Sequence, residues 1–235
     1  MIVRILRSLI KRTKNKGIEL LLPFLSEEKR FSLIYKTSYW LGNPNQGSKS
    51  GSGSSMDATE NIRRELVTFI KYNDISSMLD IPCGDYFWLS QVKMPLKKYI
   101  GADIVEQIVL DNNMKHSSSN REFLKLDLIK DILPQCDLVL VRDCLVHLTN
   151  EQIMLALKNI YLSGSSYLAT SHFLDCEVNK PSLESDLWRP INLSYPPFNL
   201  PTPLAILDDS YKSYTLDVEK KIAVWRISEL TNILI

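Results

Sequence analysis

Hydrophobic and polar positions follow two rhythms along this chain. From residue 75 onward, short apolar runs at Ser77–Asp80, 99–103, 122–127, 137–142 and 166–170 predict β-strands. Helical spacing fills most of the intervals. The clearest case is 149–162, where Thr149 and Gln152 form a capping box and Gly164 suits the helix exit. A tight turn after the first strand is expected to lead into a helix containing Trp88. Alternating strand and helix predicts a mostly parallel sheet covered on both faces. A last strand is expected at 221–227, preceded by an apolar run at 204–207. Upstream, residues 57–72 read as a helix with Ile62, Leu66, Phe69 and Ile70 on one side, and a further helix-like patch follows Pro23.

The first residues have a different pattern. Arg4, Arg7, Lys11, Arg12, Lys14 and Lys16 interleave with Ile2, Ile5, Leu6, Leu9 and Ile10 at three- and four-residue spacings, which predicts a cationic amphipathic helix. Charge interrupts the apolar stretch and no small-residue cleavage site follows, so it does not read as a secretory signal. Two readings stay open: a surface helix in peripheral contact with an anionic membrane, or a terminal helix packed on its own domain. Residues 42–55 are rich in glycine and serine, which suits either a linker or a lid that closes on a ligand. The organisation expected is a basic helical extension (1–36), a Gly/Ser-rich lid (37–56) and a main domain (57–235).

Composition sets bounds on this picture. With 235 residues, 45% hydrophobic and 23% charged, the chain fits one globular domain with additions, and its apolar runs are too short to span a bilayer. Four cysteines without a C-x-x-C pair read as free thiols in a reducing, cytoplasmic compartment, and three histidines cannot build a His-rich metal cage. The net charge of +1 divides into +6 over residues 1–36 and −5 over the rest. A body of that charge argues against a nucleic-acid partner.

The candidate chemistry lies at the strand ends. Three predicted strands finish in aspartate: Asp80, Asp103 and Asp127. One such residue alone would serve as a helix N-cap. Three at the carboxyl ends of successive strands face one crevice in an open α/β sheet. Asp103 follows Asp80 by 23 residues, the spacing at which a second-strand acid accepts hydrogen bonds from ribose hydroxyls. The intervening turn has a single glycine, Gly84, and lacks the G-x-G-x-x-G cradle for a pyrophosphate. A nucleoside ligand without phosphate, such as S-adenosylmethionine, fits better.

Residues 76–170 resemble class I S-adenosylmethionine-dependent methyltransferases. Met78-Leu79-Asp80-Ile81-Pro82-Cys83-Gly84-Asp85 is similar to their first-strand motif, with Pro82 where the first glycine is usual and Tyr86 where the third is. Tyr99-Ile100-Gly101-Ala102-Asp103-Ile104 resembles the second motif, Leu126-Asp127-Leu128 the third, and residues 137–148 the fourth strand with its following segment. Ser50-Gly51-Ser52-Gly53-Ser54, Trp188-Arg189-Pro190-Ile191-Asn192-Leu193 and Pro197-Phe198-Asn199-Leu200-Pro201 are similar to segments of a bacterial subfamily found among saccharide and natural-product tailoring enzymes. The resemblance implies a Rossmann-like sandwich with an antiparallel final strand. It implies S-adenosylmethionine held by Asp80, Pro82, Cys83 and Gly84 of the first motif, Asp103 and Ile104 of the second, and Asp127 and Leu128 of the third. Arg142 and the lid residue Ser54 complete that set.

Segment 172–205, broken by six prolines, is the expected acceptor wall. Its Trp188, Arg189, Asn192, Tyr195 and Phe198, with His172 at the end of the fifth strand, are candidates to stack on and hydrogen-bond a small-molecule or glycan acceptor; the alternative is that its aromatics anchor a long loop. Methyl transfer to a hydroxyl needs a base, and His147 is the candidate, with Asp143 to orient it or receive the hydroxyl. Val146 stands where a metal-dependent group carries glutamate, so no metal is expected. Cys83 and Cys144 are expected to be buried, inert thiols. The acceptor most in keeping with the resemblance is a hydroxyl of a saccharide, nucleotide-sugar or natural product. The alternatives are N-methylation of a small metabolite and a methyltransferase-like binding protein without turnover.

Overall fold

The computed structural model describes residues 17–40, 47–181, 188–211 and 219–231. The predicted basic helix over residues 1–16 lies outside them, as do residues 41–46 of the Gly/Ser-rich stretch and 182–187 of the expected acceptor wall. Seven strands form one sheet: β1 (Ser77–Asp80), β2 (Lys98–Asp103), β3 (Arg121–Lys125), β4 (Leu138–Val141), β5 (Tyr167–Phe173), β6 (Ala205–Asp208) and β7 (Lys220–Arg226). Their order is β3-β2-β1-β4-β5-β7-β6. The first five are parallel, and β7 lies antiparallel between β5 and β6. This is the expected Rossmann-like sandwich.

The side-chain alternation of the strands feeds two cores. Leu79, Val139 and Val141 join one face with Ile153, Leu157 and Ile160, while Met78, Leu138 and Leu140 join the other with Ile62, Leu66 and Ile70. All four residues of β4 are buried, as expected of a central parallel strand covered on both sides. Four helices are described over their whole length: α1 (Glu27–Thr37), α2 (Glu60–Tyr72), α3 (Glu106–His116) and α4 (Asn150–Leu162). The capping box on α4 is present, with the Gln152 N–H donating to Thr149 Oγ1 at 3.3 Å and the Thr149 N–H to Gln152 Oε1 at 2.9 Å.

Three local expectations change. Trp88 belongs to no α-helix, because Phe87, Trp88 and Leu89 have no helical period and Trp88 and Leu89 are both buried; one 3₁₀ turn, Leu89–Gln91, follows instead. Strand β3 stops at Lys125, so Asp127 sits in the turn beyond it. Strand β5 runs on to Phe173, so His172 lies inside the sheet. Strand order reverses at β1, between β2 and β4, and that reversal opens the crevice at the strands' carboxyl ends.

Candidate functional site

The crevice is a cavity of about 380 Å³, within the usual span of small-molecule sites. Its floor is the first-strand turn. Asp80, buried at the end of β1, accepts the Tyr99 hydroxyl at 2.7 Å, and burial pushes its carboxyl up to about 7. Asp103, buried at the end of β2, accepts the N–H of Val105 at 2.9 Å and of Gly84 at 3.1 Å. Burial raises Asp103 to about 6, against the lowering effect of those N–H groups. Ile104, Asp127, Leu128, Pro82 and Cys83 line the same cavity. Tyr86, in the position of a usual glycine, turns away from it. Its ring packs on Tyr99 and Phe123, and its hydroxyl receives Arg121 at 3.2 Å.

The Gly/Ser segment closes over this floor. Asp85 receives the Ser48 hydroxyl (3.0 Å), the Lys49 N–H (2.5 Å) and the Ser50 hydroxyl (3.0 Å), and returns its own N–H to Ser50 Oγ (3.0 Å). Residues 50–54 line the cavity, Ser54 included. Gly84 has φ +54°, and a Cβ there would meet Ser50 Oγ at 2.4 Å, so only glycine lets lid and turn meet this closely. Arg142 ties the lid to the sheet by donating to the Gly53 carbonyl at 2.9 Å. The same guanidinium forks onto buried Asp209 with two 2.9 Å bonds and meets Asp143 at 3.1 Å, while Lys220 bridges Asp143 and Asp209 at 2.9 and 3.0 Å. Burial alone would raise the Asp143 carboxyl, but Lys220 and Arg142 outweigh it and hold Asp143 well below the usual range. Asp143 is therefore a fixed negative charge and a poor base.

A roof that the motifs did not predict comes from α1. Its Glu27, Phe31 and Tyr35, with Trp40 just beyond, face the cavity. Tyr35 is bonded to Ser50 at 2.9 Å, Gln152 donates to Glu27 at 3.0 Å, and Lys125 pairs with Glu28 at 2.6 Å. His147, in a 3₁₀ turn after β4, is stacked on Trp40 (centroids 5.3 Å apart, 25° between planes) with Phe31 edge-on at 5.9 Å. The spacing of Phe31 and Tyr35, four residues apart, was the available signal, but it also marks an ordinary packing face.

Of the residues expected at the acceptor, one lines the cavity and four lie away from it. Trp188 lines the cavity, half-exposed and edge-on to Phe173. Arg189 is buried and its guanidinium donates to the Leu148 carbonyl (2.9 Å) and Asn150 Oδ1 (2.8 Å), clamping the start of α4. Asn192 is buried in a turn, bonded to the Phe173 carbonyl and the Ser194 N–H. Phe198 is a core residue. His172 is buried against Trp225, accepts the Leu193 N–H at 3.3 Å, and is pushed down to about 4 by burial. None of these four lines the cavity. The exposed Tyr195 also lies outside it.

Among the described residues no group of three or more His, Cys, Asp or Glu is arranged to hold a metal ion, and no helix is long and apolar enough to cross a membrane. Cys83 and Cys144 are free thiols on the cavity wall, and burial pushes both up, away from reactivity.

No family model matches this chain, and no curated protein matches it. Solved structures match it by shape, and it shares the fold of methyltransferases crystallised with SAM. Human N-acetylserotonin methyltransferase in complex with SAM superposes with a TM-score of 0.57 at 15% identity, over 86% of this chain and 60% of its own. Magnesium protoporphyrin IX methyltransferase (ChlM) from Synechocystis PCC 6803 with bound SAM gives 0.56 at 13%, over 85% and 96%. PigF with SAH gives 0.55 at 12%, over 83% of this chain and 61% of its own. At these identities the likeness is one of fold.

Proposed function

We propose that this protein transfers a methyl group from S-adenosylmethionine to a small polar acceptor, in the first instance a hydroxyl of a saccharide, nucleotide-sugar or natural product. The observation that carries the reading is Asp103: a buried carboxylate, fixed by two backbone N–H groups at the end of β2, on the wall of the cavity at the sheet's switch point. A nucleoside's ribose hydroxyls are natural donors to such a group. The wall also suits a cation. It presents six carboxyl groups (Glu27, Asp80, Asp85, Asp103, Asp127, Asp143) against Arg142 and Lys220, together with the rings of Phe31, Tyr35, Trp40 and Trp88. When bound, S-adenosylmethionine supplies a methyl group activated on a positively charged sulfur.

The chain's own part is to hold, exclude water and move one proton. Asp103, Asp127 and the Gly84 turn bind the nucleoside, and the lid and roof seal it from solvent. His147 takes the acceptor's proton, and the fixed charge of Asp143 favours the imidazolium that results. Trp188 stacks on the acceptor. The test is calorimetric titration with S-adenosylmethionine and S-adenosylhomocysteine, then a turnover assay over nucleotide-sugars, glycans and small metabolites, amines included. Asp103→Ala should bind the cofactor about 1.5–3 kcal/mol more weakly while keeping its fold. His147→Gln should lower kcat without loss of cofactor affinity. A silent titration of the wild type refutes the cofactor, whereas binding without turnover points to the binding-protein alternative.

A further inference from the structure

We infer that residues 20–24, with the cationic stretch before them, dock on an anionic lipid surface and hold the lip of the cavity beside it. The elbow is built to face outward. Ile18, Leu22 and Ile34 form a small separate core in which Leu22 is 1% exposed. Two donors fix the Leu22 carbonyl: Nε of buried Arg30 at 3.2 Å and the Leu25 N–H at 3.2 Å. With Leu22 pinned inward, Leu20, Leu21 and Phe24 stand in solvent at 74%, 57% and 86% exposure. Elsewhere among the described residues, exposed apolar side chains come singly, as Tyr72, Ile132 and Leu162 do, or in pairs such as Leu110 and Met114, which is ordinary for a surface. Three large apolar side chains within five residues, on a braced turn, are not ordinary.

Charge identifies the occupant. Residues 1–16, which precede this turn in the sequence, contain six Lys/Arg and no Asp or Glu, whereas the body beyond residue 36 sums to −5. A run of cations followed in sequence by exposed leucine and phenylalanine suits an anionic bilayer interface, where charges meet headgroups and apolar groups enter the acyl boundary. The cationic stretch has no Phe, Tyr or Trp to stack on bases, which disfavours a single-stranded nucleic acid. Phe24 is three residues from Glu27, which lines the cavity, so at most about 10 Å of chain separates the docked side chain from the lip. An acceptor carried in that surface would then be delivered directly to the cavity. That last step rests on the methyl-transfer reading; the docking does not.

The experiment is co-sedimentation of the full chain with phosphatidylcholine vesicles, with and without phosphatidylglycerol, at low and high salt. Wild type should partition onto the phosphatidylglycerol vesicles at least about ten-fold better, and high salt should weaken this. The Leu20→Ser/Leu21→Ser/Phe24→Ser variant should lose about ten-fold or more of that partition with an unchanged melting temperature. If the triple variant melts early, Phe24→Ser alone is read in its place. The inference is overturned by equal partition on both vesicle types, by a well-folded variant that binds like wild type, or by an RNA oligonucleotide that strips the protein from vesicles. Cofactor titration without vesicles is scored separately, so failure of docking and failure of the methyl-transfer reading are distinguishable.

Discussion

Replacing Gly84 by alanine should damage both the fold and the site, in proportions that the structure sets. Gly84 has φ +54°, where a Cβ costs roughly 1–2 kcal/mol. For a chain of this size that share lowers the melting temperature by about 2–8 °C. The new methyl would also lie 2.4 Å from Ser50 Oγ and 3.2 Å from Tyr35 Oη, so Ser50 must move. Moving it breaks three hydrogen bonds: Ser50 to Asp85 Oδ1, Asp85 N–H to Ser50, and Tyr35 to Ser50. At about 0.5–1.5 kcal/mol each, their loss detaches the lid at a cost of about 1.5–4.5 kcal/mol, which should appear as weaker S-adenosylmethionine binding. Thermal melting and calorimetric titration on the same preparation separate the two shares. Gly17→Ala is the control, because nothing lies within 4 Å of its new Cβ, and it should leave both readings alone. A Gly84→Ala protein that melts within 1 °C of wild type and binds within about twofold would refute the account of lid and turn.

Other substitutions test other parts. Asp80 is pushed up to about 7 and Asp103 to about 6 from 3.8, so each keeps its proton longer folded than unfolded. Their contribution to stability is full below about pH 4 and is lost as the pH rises through 6 to 7. Asp80→Asn should therefore melt with a flatter pH dependence than wild type between about pH 5 and about pH 8, and an equal slope would refute the assignment. Arg189→Ala should lower the melting temperature by about 4–8 °C, from roughly 2 kcal/mol of lost bonds, with cofactor affinity unchanged. Trp188→Ala should instead lower kcat/KM for the acceptor with little change in melting. Asp209→Asn removes a carboxylate shared by buried Arg142 and Lys220, and should cost about 3–5 kcal/mol in a melting or denaturant assay.

The strand ends were legible because their signals are local. An apolar run ending in aspartate gives both the strand and the residue that faces the crevice, which is how Asp80 and Asp103 could be read from sequence. Asp127 was legible as a wall residue but not as lying two residues past its strand. In the expected acceptor wall, residue chemistry and location part company. Arg189, Asn192 and His172 are the right residue types to bind a ligand, but backbone carbonyls, N–H groups and Asn150 already occupy them, and no sequence pattern shows which polar groups are taken. The roof was not legible either. Phe31 and Tyr35 stand over the cavity on α1, which is tied to Lys125 and Gln152, contacts 97 and 125 residues away in sequence.

Those two separations bear on how the molecule is made. The roof is translated before any strand of the floor it covers, and its fastening at Gln152 emerges from the ribosome 125 residues later than Glu27. Until then the cavity that Phe31, Tyr35 and Trp40 face is incomplete, and the small core of Ile18, Leu22 and Ile34 and the bond of Tyr35 to Ser50 are contacts within reach to hold the nascent segment. The site is thus assembled backwards, its cover waiting for its base. A fragment cut at residue 57, where the main domain is expected to begin, would keep every strand and lose the cover along with the lid.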